Sequence, residues 1–338
     1  SSAASDVYKR QPYRALLVSH ENIVYISLVD ILDGAIKLFL VLFISIVPID
    51  RLEYYGIIML LVQVFDFFAI SIYCYIKYIE TTFPNPFKID SKILKELGSF
   101  AGWTLYSSGC VIGRQHGIAI VLNRLMGATV NAAYGIGFQV AGYTNFLAQS
   151  LVNSITPQIV KAEASNDRKR ALWLSNLTSK FIFYLLSILC IPCMFEINTI
   201  LSLWLEKVPQ YTSLFCIMVM LTLLVDSISI GLTYINQAIG NIKWYSIFMY
   251  TPKLFTLPLF YLCLKCGGDL NLAAGAYIAI ELLCSILRIP FLKKTADLDI
   301  RDFCRQVILG EIITILIFVI ACILICAILP PSLFRMII

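Results

Sequence analysis

Charged residues are scarce in this chain, and their scarcity excludes most soluble folds. Only 14% of the 338 residues are charged, whereas 59% are hydrophobic. A soluble domain carries about 25% charged and 45–50% apolar residues. The excess apolar residues form runs of roughly 20–25 residues, each long enough to cross a hydrocarbon core of about 30 Å as a helix. We therefore expect an all-α fold, namely a polytopic membrane helix bundle.

Histidine is also scarce, with only two in the whole chain, which disfavours a histidine-rich metal site. The eleven cysteines include two CxxC pairs, Cys190/Cys193 and Cys263/Cys266. This spacing occurs in redox and metal sites of soluble proteins. Both pairs lie within or at the edge of apolar runs, without a second histidine or cysteine cluster nearby. We interpret these cysteines as small buried hydrophobes and predict neither a metal nor a cofactor.

Long polar loops are missing too, which leaves no room for a soluble catalytic domain between the apolar runs. No Gly-rich phosphate loop and no constellation of paired carboxylates occurs. Asp297-Leu-Asp299 resembles the DxD pattern of nucleotide-sugar enzymes, but three residues in a charged loop carry little weight. We predict no catalytic residues, and the short loops disfavour a membrane enzyme of glycan assembly.

The apolar runs themselves predict about nine transmembrane helices. They lie near residues 23–47, 54–79, 99–122, 130–157, 174–203, 212–236, 245–264, 270–289 and 307–329. Aromatic residues such as Trp103, Trp173 and Trp204 lie at many of the edges. Amphipathic rings prefer that position because it places them at the headgroup level.

Basic residues are divided unevenly between the loops and predict the orientation of the helices. One set of alternate loops holds thirteen: Lys77, Lys88, Lys92, Lys95, Lys161, Arg168, Lys169, Arg170, Lys243, Lys293, Lys294, Arg301 and Arg305. The other set holds five: Arg51, Arg124, Lys207, Lys265 and Arg335. The positive-inside rule places the first set in the cytoplasm. The net charge of +5 is therefore attributed to topology and not to nucleic-acid binding.

The two ends of the sequence predict a fragment of a longer protein. Residues 1–11 are polar, match nothing downstream and are interpreted as a non-native leader. At the other end an apolar run begins at Leu333 and stops at Ile338. We expect further helices on both sides of this chain.

Four stretches together resemble a known transporter family. They are PYRAL at residues 12–16, VNAAYGI to TPQI at 130–159, LWL and VPQYT at 203–212, and QAIGNIKWY at 237–245. Their order and spacing resemble Wzx-type polysaccharide flippases of the multidrug/oligosaccharidyl-lipid/polysaccharide exporter superfamily, in a version common in Bacteroides-like bacteria. Tyr134 departs from that pattern, because many relatives have arginine there.

The resemblance implies a two-lobe exporter fold of fourteen helices. Residues 12–81 would end the first lobe, and residues 82–91 would form a cytoplasmic linker. Residues 92–289 would form a second, six-helix lobe. Residues 290–338 would hold helix thirteen and the truncated start of the last helix.

The function implied by the resemblance is that of a flippase in polysaccharide or lipopolysaccharide (O-antigen) biosynthesis. Its substrate would be an undecaprenyl-pyrophosphate-linked oligosaccharide, crossing the bacterial cytoplasmic (inner) membrane. Its other implied partners are membrane lipids and glycan polymerase or assembly proteins, with no nucleic acid. Within the same superfamily, a peptidoglycan lipid-precursor flippase or a cation-coupled drug antiporter is the alternative.

Charged residues inside the predicted spans mark the candidate site, because each costs roughly 2.5–3.5 kcal/mol at a helix centre on insertion scales. An anionic pyrophosphate with a polar glycan needs a wet, cationic cavity. The candidate substrate-binding residues are Lys37, Arg114, Lys180 and Lys253. Lys180 also has a structural alternative, since its side chain can extend toward the membrane edge.

Two of these basic residues have acidic residues as alternative partners. Lys37 lies four residues after Asp33, the spacing of an ion pair on one helix face. Arg114 has no acidic residue within two turns of its own helix, but it could pair with Asp226 or Glu281 from another helix.

Two aspartates are candidates for ion coupling. Asp66 and Asp226 lie near the middle of their predicted spans, with no basic residue within a turn. A carboxyl group in that position is expected to exchange a proton during transport. The alternative is a hydrogen-bonded aspartate with a structural role.

Overall fold

The computed structural model describes residues 12–20, 22–42, 51–78, 91–267 and 269–328, with side chains from Tyr54 onward in the third segment. Within these ranges the chain forms helices and no strands, which confirms the all-α prediction. The predicted leader, the predicted linker apart from Ser91, and residues 329–338 lie outside the described residues.

The helices are numbered here in chain order. They are α1 (12–19), α2 (Ile23–Leu42), α3 (Arg51–Lys77), α4 (Ser91–Met126), α5 (Ala128–Ala164), α6 (Arg168–Phe195), α7 (Ile197–Trp204), α8 (Thr212–Ser227), α9 (Ile230–Ile239), α10 (Ile242–Lys265), α11 (Leu270–Ala296), α12 (Ile300–Phe303) and α13 (Leu309–Ile328). A π-helical turn, Cys304–Ile308, joins α12 to α13.

Five helical stretches are long and apolar enough to cross a membrane. They are Tyr54–Lys77 of α3, then α6, α10 and α11, and the continuous stretch Ile300–Ile328. Helices α8 and α9 pass the same test as one span with a bend of 50°. The chain is therefore a multi-pass helical membrane protein. Helices α2, α4 and α5 overlap three further predicted spans but are outside this set, so the number nine stays a prediction.

Two of the predicted spans are interrupted. The span predicted at residues 174–203 ends as α6 at Phe195, and α7 begins at Ile197. Pro192 lies in the last turn of α6, where its ring removes a backbone donor and prevents a straight continuation. The span predicted at 212–236 is divided at Ile228 and Ser229 into α8 and α9.

The chain divides into two compact units, residues 1–93 and 94–338. In the first unit, α2 packs against α3. Its buried cluster consists of Leu17, Ile26, Val29, Ile70 and Cys74. Two of the candidate residues, Lys37 and Asp66, belong to this unit.

The second unit contains three apolar clusters, and a polar level lies between two of them. One cluster includes Ile118, Phe215 and Tyr277. The other includes Leu232 and Leu292. Helix α11 contributes to both clusters, and the residues between Tyr277 and Leu292 place charged side chains at the level that separates them.

Helix α9 approaches α6 very closely at Gly231. A Cβ atom on Gly231 would lie 1.9 Å from the carbonyl oxygen of Ser175. The backbone N–H of Gly231 also donates to the Ser179 hydroxyl at 2.9 Å. Glycine is therefore required at this position, because a side chain would overlap the backbone of α6.

Candidate functional site

The candidate site is built from four helices, and three of them contribute charged side chains from their buried faces. Arg114 lies on the buried face of α4, in register with Cys110 and Ile118. Lys253 occupies the corresponding face of α10, and Glu281 that of α11. Residues spaced by three, four or seven lie on one face of a helix, so each charged side chain points inward with its apolar neighbours.

Four of the charged residues are joined through Glu281. Arg114 Nη1 lies 2.8 Å from Glu281 Oε2. Lys253 Nζ forms an ion pair with the other carboxylate oxygen, Glu281 Oε1. The same Nζ atom is 3.5 Å from Asp226 Oδ1. Helices α4, α8, α10 and α11 are thus connected by side chains of alternating charge.

Arg288 completes the charge network on the other side of Asp226. Its Nη2 atom donates to Asp226 Oδ1 at 2.5 Å. The Arg288 side chain is 3% exposed, whereas that of Asp226 is 28% exposed. Asp226 is therefore the most open member of the network and has cations on two sides.

The network contains more positive than negative charge. Its members are the three basic residues Arg114, Lys253 and Arg288 and the two acidic residues Asp226 and Glu281. Ionised side chains at this depth require paired charges or hydrogen bonds, because desolvation costs several kcal/mol per ion. Each acidic residue has such partners, and one positive charge remains in excess.

Each of the two guanidinium groups has one buried donor without a partner in the described part of the chain. Among the described residues, the buried Nε atoms of Arg114 and Arg288 have no hydrogen-bond partner. The guanidinium carbon of Arg114 lies 4.3 Å from the ring centroid of Tyr277, a cation–π geometry. This contact orients the guanidinium plane, and the buried Nε–H group remains without a partner in the described part of the chain.

The network lies directly beside the break between α8 and α9. Arg288 Nη1 donates to the carbonyl oxygen of Asp226 at 3.2 Å, and Ser285 Oγ donates to that of Val225 at 2.9 Å. Ser229 Oγ donates in turn to the carbonyl of Ser285 at 3.1 Å. A helix break inside a membrane exposes backbone carbonyls that need partners. Here side chains of α11 provide them, so the bend is part of the site.

A cavity of about 540 Å³ contains the network. Besides the five charged residues, polar side chains of Gln115, Asn145 and Thr222 line it. Its volume falls within the range of about 300–1,000 Å³ that is typical of ligand sites.

A second cavity, of about 400 Å³, adjoins the first and has no charged lining residue. The two cavities share Val111, Gln237 and Tyr250. The second is lined by hydroxyl and amide groups, including Ser108 and Asn236. Among the described residues, the buried Oδ1 atom of Asn236 has no hydrogen-bond partner. The site as a whole thus has a cationic compartment and a neutral compartment lined by both polar and apolar side chains.

The structure brings together only some of the residues singled out from the sequence. Arg114, Lys253 and Asp226 meet in the cationic cavity. Lys180 lies elsewhere, on α6 beside Gly310 of α13. Lys37 Nζ is 2.7 Å from Asp33 Oδ2, which confirms the ion pair inferred from their spacing.

The two candidate coupling residues have different surroundings. Asp66 is 2% exposed and lies in the first unit. Asp226 lacks a basic neighbour on its own helix, as the sequence indicated, but α10 and α11 supply Lys253 and Arg288. Spacing along one helix does not reveal a partner that another helix provides. The coupling roles of both aspartates stay predictions.

Arg288 is the site residue that sequence reasoning missed. The predicted span ended at residue 289, which placed Arg288 at the membrane edge, whereas α11 continues to Ala296. One signal was present in the sequence: Arg288 follows Glu281 by seven residues, and this spacing places both on one helix face.

Two motifs noted in the sequence, the DxD-like stretch and the cysteines, are not part of the charge network. Asp299 of the DxD-like stretch accepts hydrogen bonds from the backbone N–H groups of Arg301, at 2.8 Å, and Asp302, at 3.3 Å, and so caps α12. None of the eleven cysteines forms a disulfide within the described residues. Across the described ranges, no group of three His, Cys, Asp or Glu side chains is arranged to hold a metal ion.

The chain matches no protein-family model, no curated protein and no solved structure.

Proposed function

We propose that this protein is a flippase for an undecaprenyl-pyrophosphate-linked oligosaccharide, acting in the bacterial inner membrane. The observation that carries the proposal is the buried charge network with its positive excess and its two guanidinium N–H groups that have no partner among the described residues. Guanidinium groups match phosphate geometry and form charge-assisted hydrogen bonds with it. The same positive excess disfavours the cation-coupled drug antiporter, whose substrates are cations.

The cationic cavity would receive the pyrophosphate. The Nε–H groups of Arg114 and Arg288 have no partner in the described part of the chain, and they would donate to phosphate oxygens once a side-chain movement opens them to the cavity. The negative charge of the pyrophosphate offsets the positive excess of the network. Binding therefore becomes most favourable for a ligand that is anionic where it meets these groups.

The neutral cavity would receive the first sugars. Hydroxyl groups of a glycan both donate and accept hydrogen bonds, and the lining offers both kinds of group at Ser108 and Gln237. Asn236 adds a buried acceptor that has no partner in the described part of the chain. A head group with an anionic part and an uncharged hydroxyl-rich part fits the two adjoining compartments.

Movement across the membrane requires changes of shape and no bond chemistry. Broken helices next to a central site are common in transporters that work by alternating access. The bend between α8 and α9 adjoins the charge network. In α10, Pro252 directly precedes Lys253 and Pro258 follows it by five residues, and each proline interrupts the backbone hydrogen bonds of the helix. The helices that carry the site are therefore those with built-in bends.

A binding experiment distinguishes recognition of the pyrophosphate from recognition of the lipid tail. The purified chain in detergent is titrated with undecaprenyl pyrophosphate and with undecaprenol, and the complexes are counted by native mass spectrometry. We expect the pyrophosphate to bind and Arg114→Ala to weaken its binding by about tenfold or more, since a hydrogen bond to a charged group contributes about 1.5–3 kcal/mol. Arg114→Lys should retain part of the affinity.

Arg124→Ala is the matched control, because Arg124 is an exposed arginine near the end of the same helix. It should bind the pyrophosphate like the wild type. Equal binding of undecaprenol and undecaprenyl pyrophosphate would refute the proposal. So would an Arg114→Ala variant that is folded and binds with unchanged affinity. The same titration with a peptidoglycan lipid precursor then tests the alternative substrate. Its head group has the same pyrophosphate but different sugars, so its affinity is compared with that of the oligosaccharide-linked lipid.

A further inference from the structure

A buried carboxyl group lies outside the cationic cavity, where α13 packs on α6. Glu311 is 2% exposed. Both of its carboxylate oxygens are buried, and within the described part of the chain neither has a hydrogen-bond partner. Isolated carboxylates in apolar surroundings are strongly disfavoured, so such a group takes up a proton or needs a cation.

The face of α6 opposite Glu311 carries one cation, Lys180. A Cβ atom on Gly310 would lie 2.8 Å from the Tyr184 hydroxyl oxygen and 3.5 Å from Cε of Lys180. Both side chains therefore lie against the first turn of α13. Because neither carboxylate oxygen of Glu311 has a hydrogen-bond partner among the described residues, Lys180 lies near the carboxyl group without pairing with it.

Glu311 and Lys180 also lie at the same depth. Lys180 is twelve residues after the start of α6 at Arg168, and Glu311 is eleven residues after Ile300. At about 1.5 Å per residue, each position is roughly 16–18 Å from the first residue of its helical stretch. Both stretches begin on the side predicted to be cytoplasmic, so the two helices run in parallel.

Other groups near Glu311 do not compete with Lys180. From α6, the titratable side chains of Lys180 and Tyr184 lie against Gly310, the residue next to Glu311. The π-helical turn before it contributes Cys304 and Arg305, and both are exposed. Farther along, Phe318 packs on the apolar cluster that contains Phe183. π-helical turns recur at functional sites, and this one directly precedes the carboxyl group.

We propose that Glu311 is a proton-binding site, separate from the cationic cavity, that is filled and emptied during transport. Its carboxylate accepts one proton from water and becomes a neutral acid suited to the apolar contact with α6. When α13 shifts so that Lys180 reaches the carboxyl group, the proton returns to water and an ion pair forms. Asp226 and Glu281 already have cationic partners, so Glu311 is better suited to exchange a proton.

Chemical labelling tests proton binding without requiring transport. Dicyclohexylcarbodiimide adds to a carboxylic acid and not to a carboxylate, and the apolar reagent reaches buried groups. The purified chain is treated at a series of pH values from about 6 to about 11, and the peptide containing Glu311 is quantified by mass spectrometry. We expect labelling of Glu311 to fall at least about tenfold across this range. Glu281, held between Arg114 and Lys253, serves as the internal control and should stay unlabelled throughout.

Two variants identify the cation that assists proton release. In Lys180→Met we expect labelling of Glu311 to persist to a pH about one unit higher, because a nearby cation favours the ionised form and has been removed. Tyr184→Phe, which keeps the ring at the same contact, should leave the labelling profile unchanged. Labelling of Glu311 that is absent at every pH, or equal at every pH, would overturn the proposal. An unchanged profile in Lys180→Met would overturn the role of Lys180.

The link to transport rests on the proposed flippase function and has its own measurement. In proteoliposomes, translocation of undecaprenyl-pyrophosphate-linked oligosaccharide by the wild type should respond to an imposed pH gradient, and that by Glu311→Gln should not. An identical response in the variant would overturn coupling through Glu311. If the wild type translocates nothing, the flippase function fails, and the labelling profile still decides whether Glu311 binds a proton.

Discussion

Glu281 and Arg114 lie 167 residues apart in the chain, and their side chains form a buried ion pair of 2.8 Å between α11 and α4. Neither charge is tolerable alone at this depth, because desolvation of each ion costs several kcal/mol. The pair therefore holds α4 and α11 in register and keeps an arginine beside the cavity. It makes the candidate site a part of the fold as well as a place for a ligand.

The first prediction concerns the loss of Glu281. In Glu281→Gln, Arg114 and Lys253 lose their shared counter-ion and remain buried. We expect the free energy of unfolding to fall by about 3–5 kcal/mol, the cost of leaving a buried charge without its partner. Denaturation of the purified chain in detergent measures the change. Glu206→Gln, at an exposed position, is the control and should be close to neutral; equal stability of the two variants would contradict the structural role of the pair.

The second prediction concerns coupling between Arg288 and Asp226. Arg288 donates to both the side chain and the backbone carbonyl of Asp226, so Arg288→Met and Asp226→Asn should each destabilise the chain. The double variant should be more stable than the sum of the single effects by roughly 0.5–3 kcal/mol, the range for residues in direct contact. A double-mutant cycle in unfolding free energy provides the value. Strict additivity would mean that the contact does not support the bend between α8 and α9.

The third prediction concerns the close approach of α9 to α6. Gly231→Ala places a methyl group where only 1.9 Å separates it from the Ser175 carbonyl oxygen. We expect a loss of about 1–3 kcal/mol, because overpacking forces the backbone to move. Gly275→Ala is the matched control, since a Cβ atom there meets nothing within 4 Å. Thermal unfolding in detergent compares the two, and an unchanged midpoint for Gly231→Ala would show that α6 and α9 separate easily.

The fourth prediction concerns membrane topology. Ser165 lies in the exposed turn between α5 and α6, and Gln210 lies in the exposed loop between α7 and α8. The distribution of basic residues places the first in the cytoplasm and the second outside. In a background without native cysteines, Gln210→Cys should react with an impermeant thiol reagent in intact cells. Ser165→Cys should react only after the membrane is opened, and the reverse pattern would invert the predicted orientation.

The sequence by itself determined the class of the protein. Apolar runs such as Ile312–Ile328 cannot be covered by the few charged residues of the chain, so they require a membrane, and a membrane requires helices whose backbone groups are satisfied internally. The same reasoning selected Arg114, Lys253 and Asp226, because charged groups at such depth are too costly to be incidental. The pair of Lys37 and Asp33 was also predictable, since both partners lie on one face of one helix.

Only the tertiary structure decided which charges meet. Arg114 contacts Glu281 rather than Asp226, and Asp226 contacts Arg288, because α4, α8, α10 and α11 converge on one level of the second unit. Lys180, equally plausible from depth alone, faces α13 and stands near Glu311 instead of the cationic cavity. The periodicity of one helix determines which of its faces is apolar, but it carries no information about the rotation and height of the helices packed against it. Those quantities depend on contacts such as Gly231 with Ser175, which involve residues far apart in the chain.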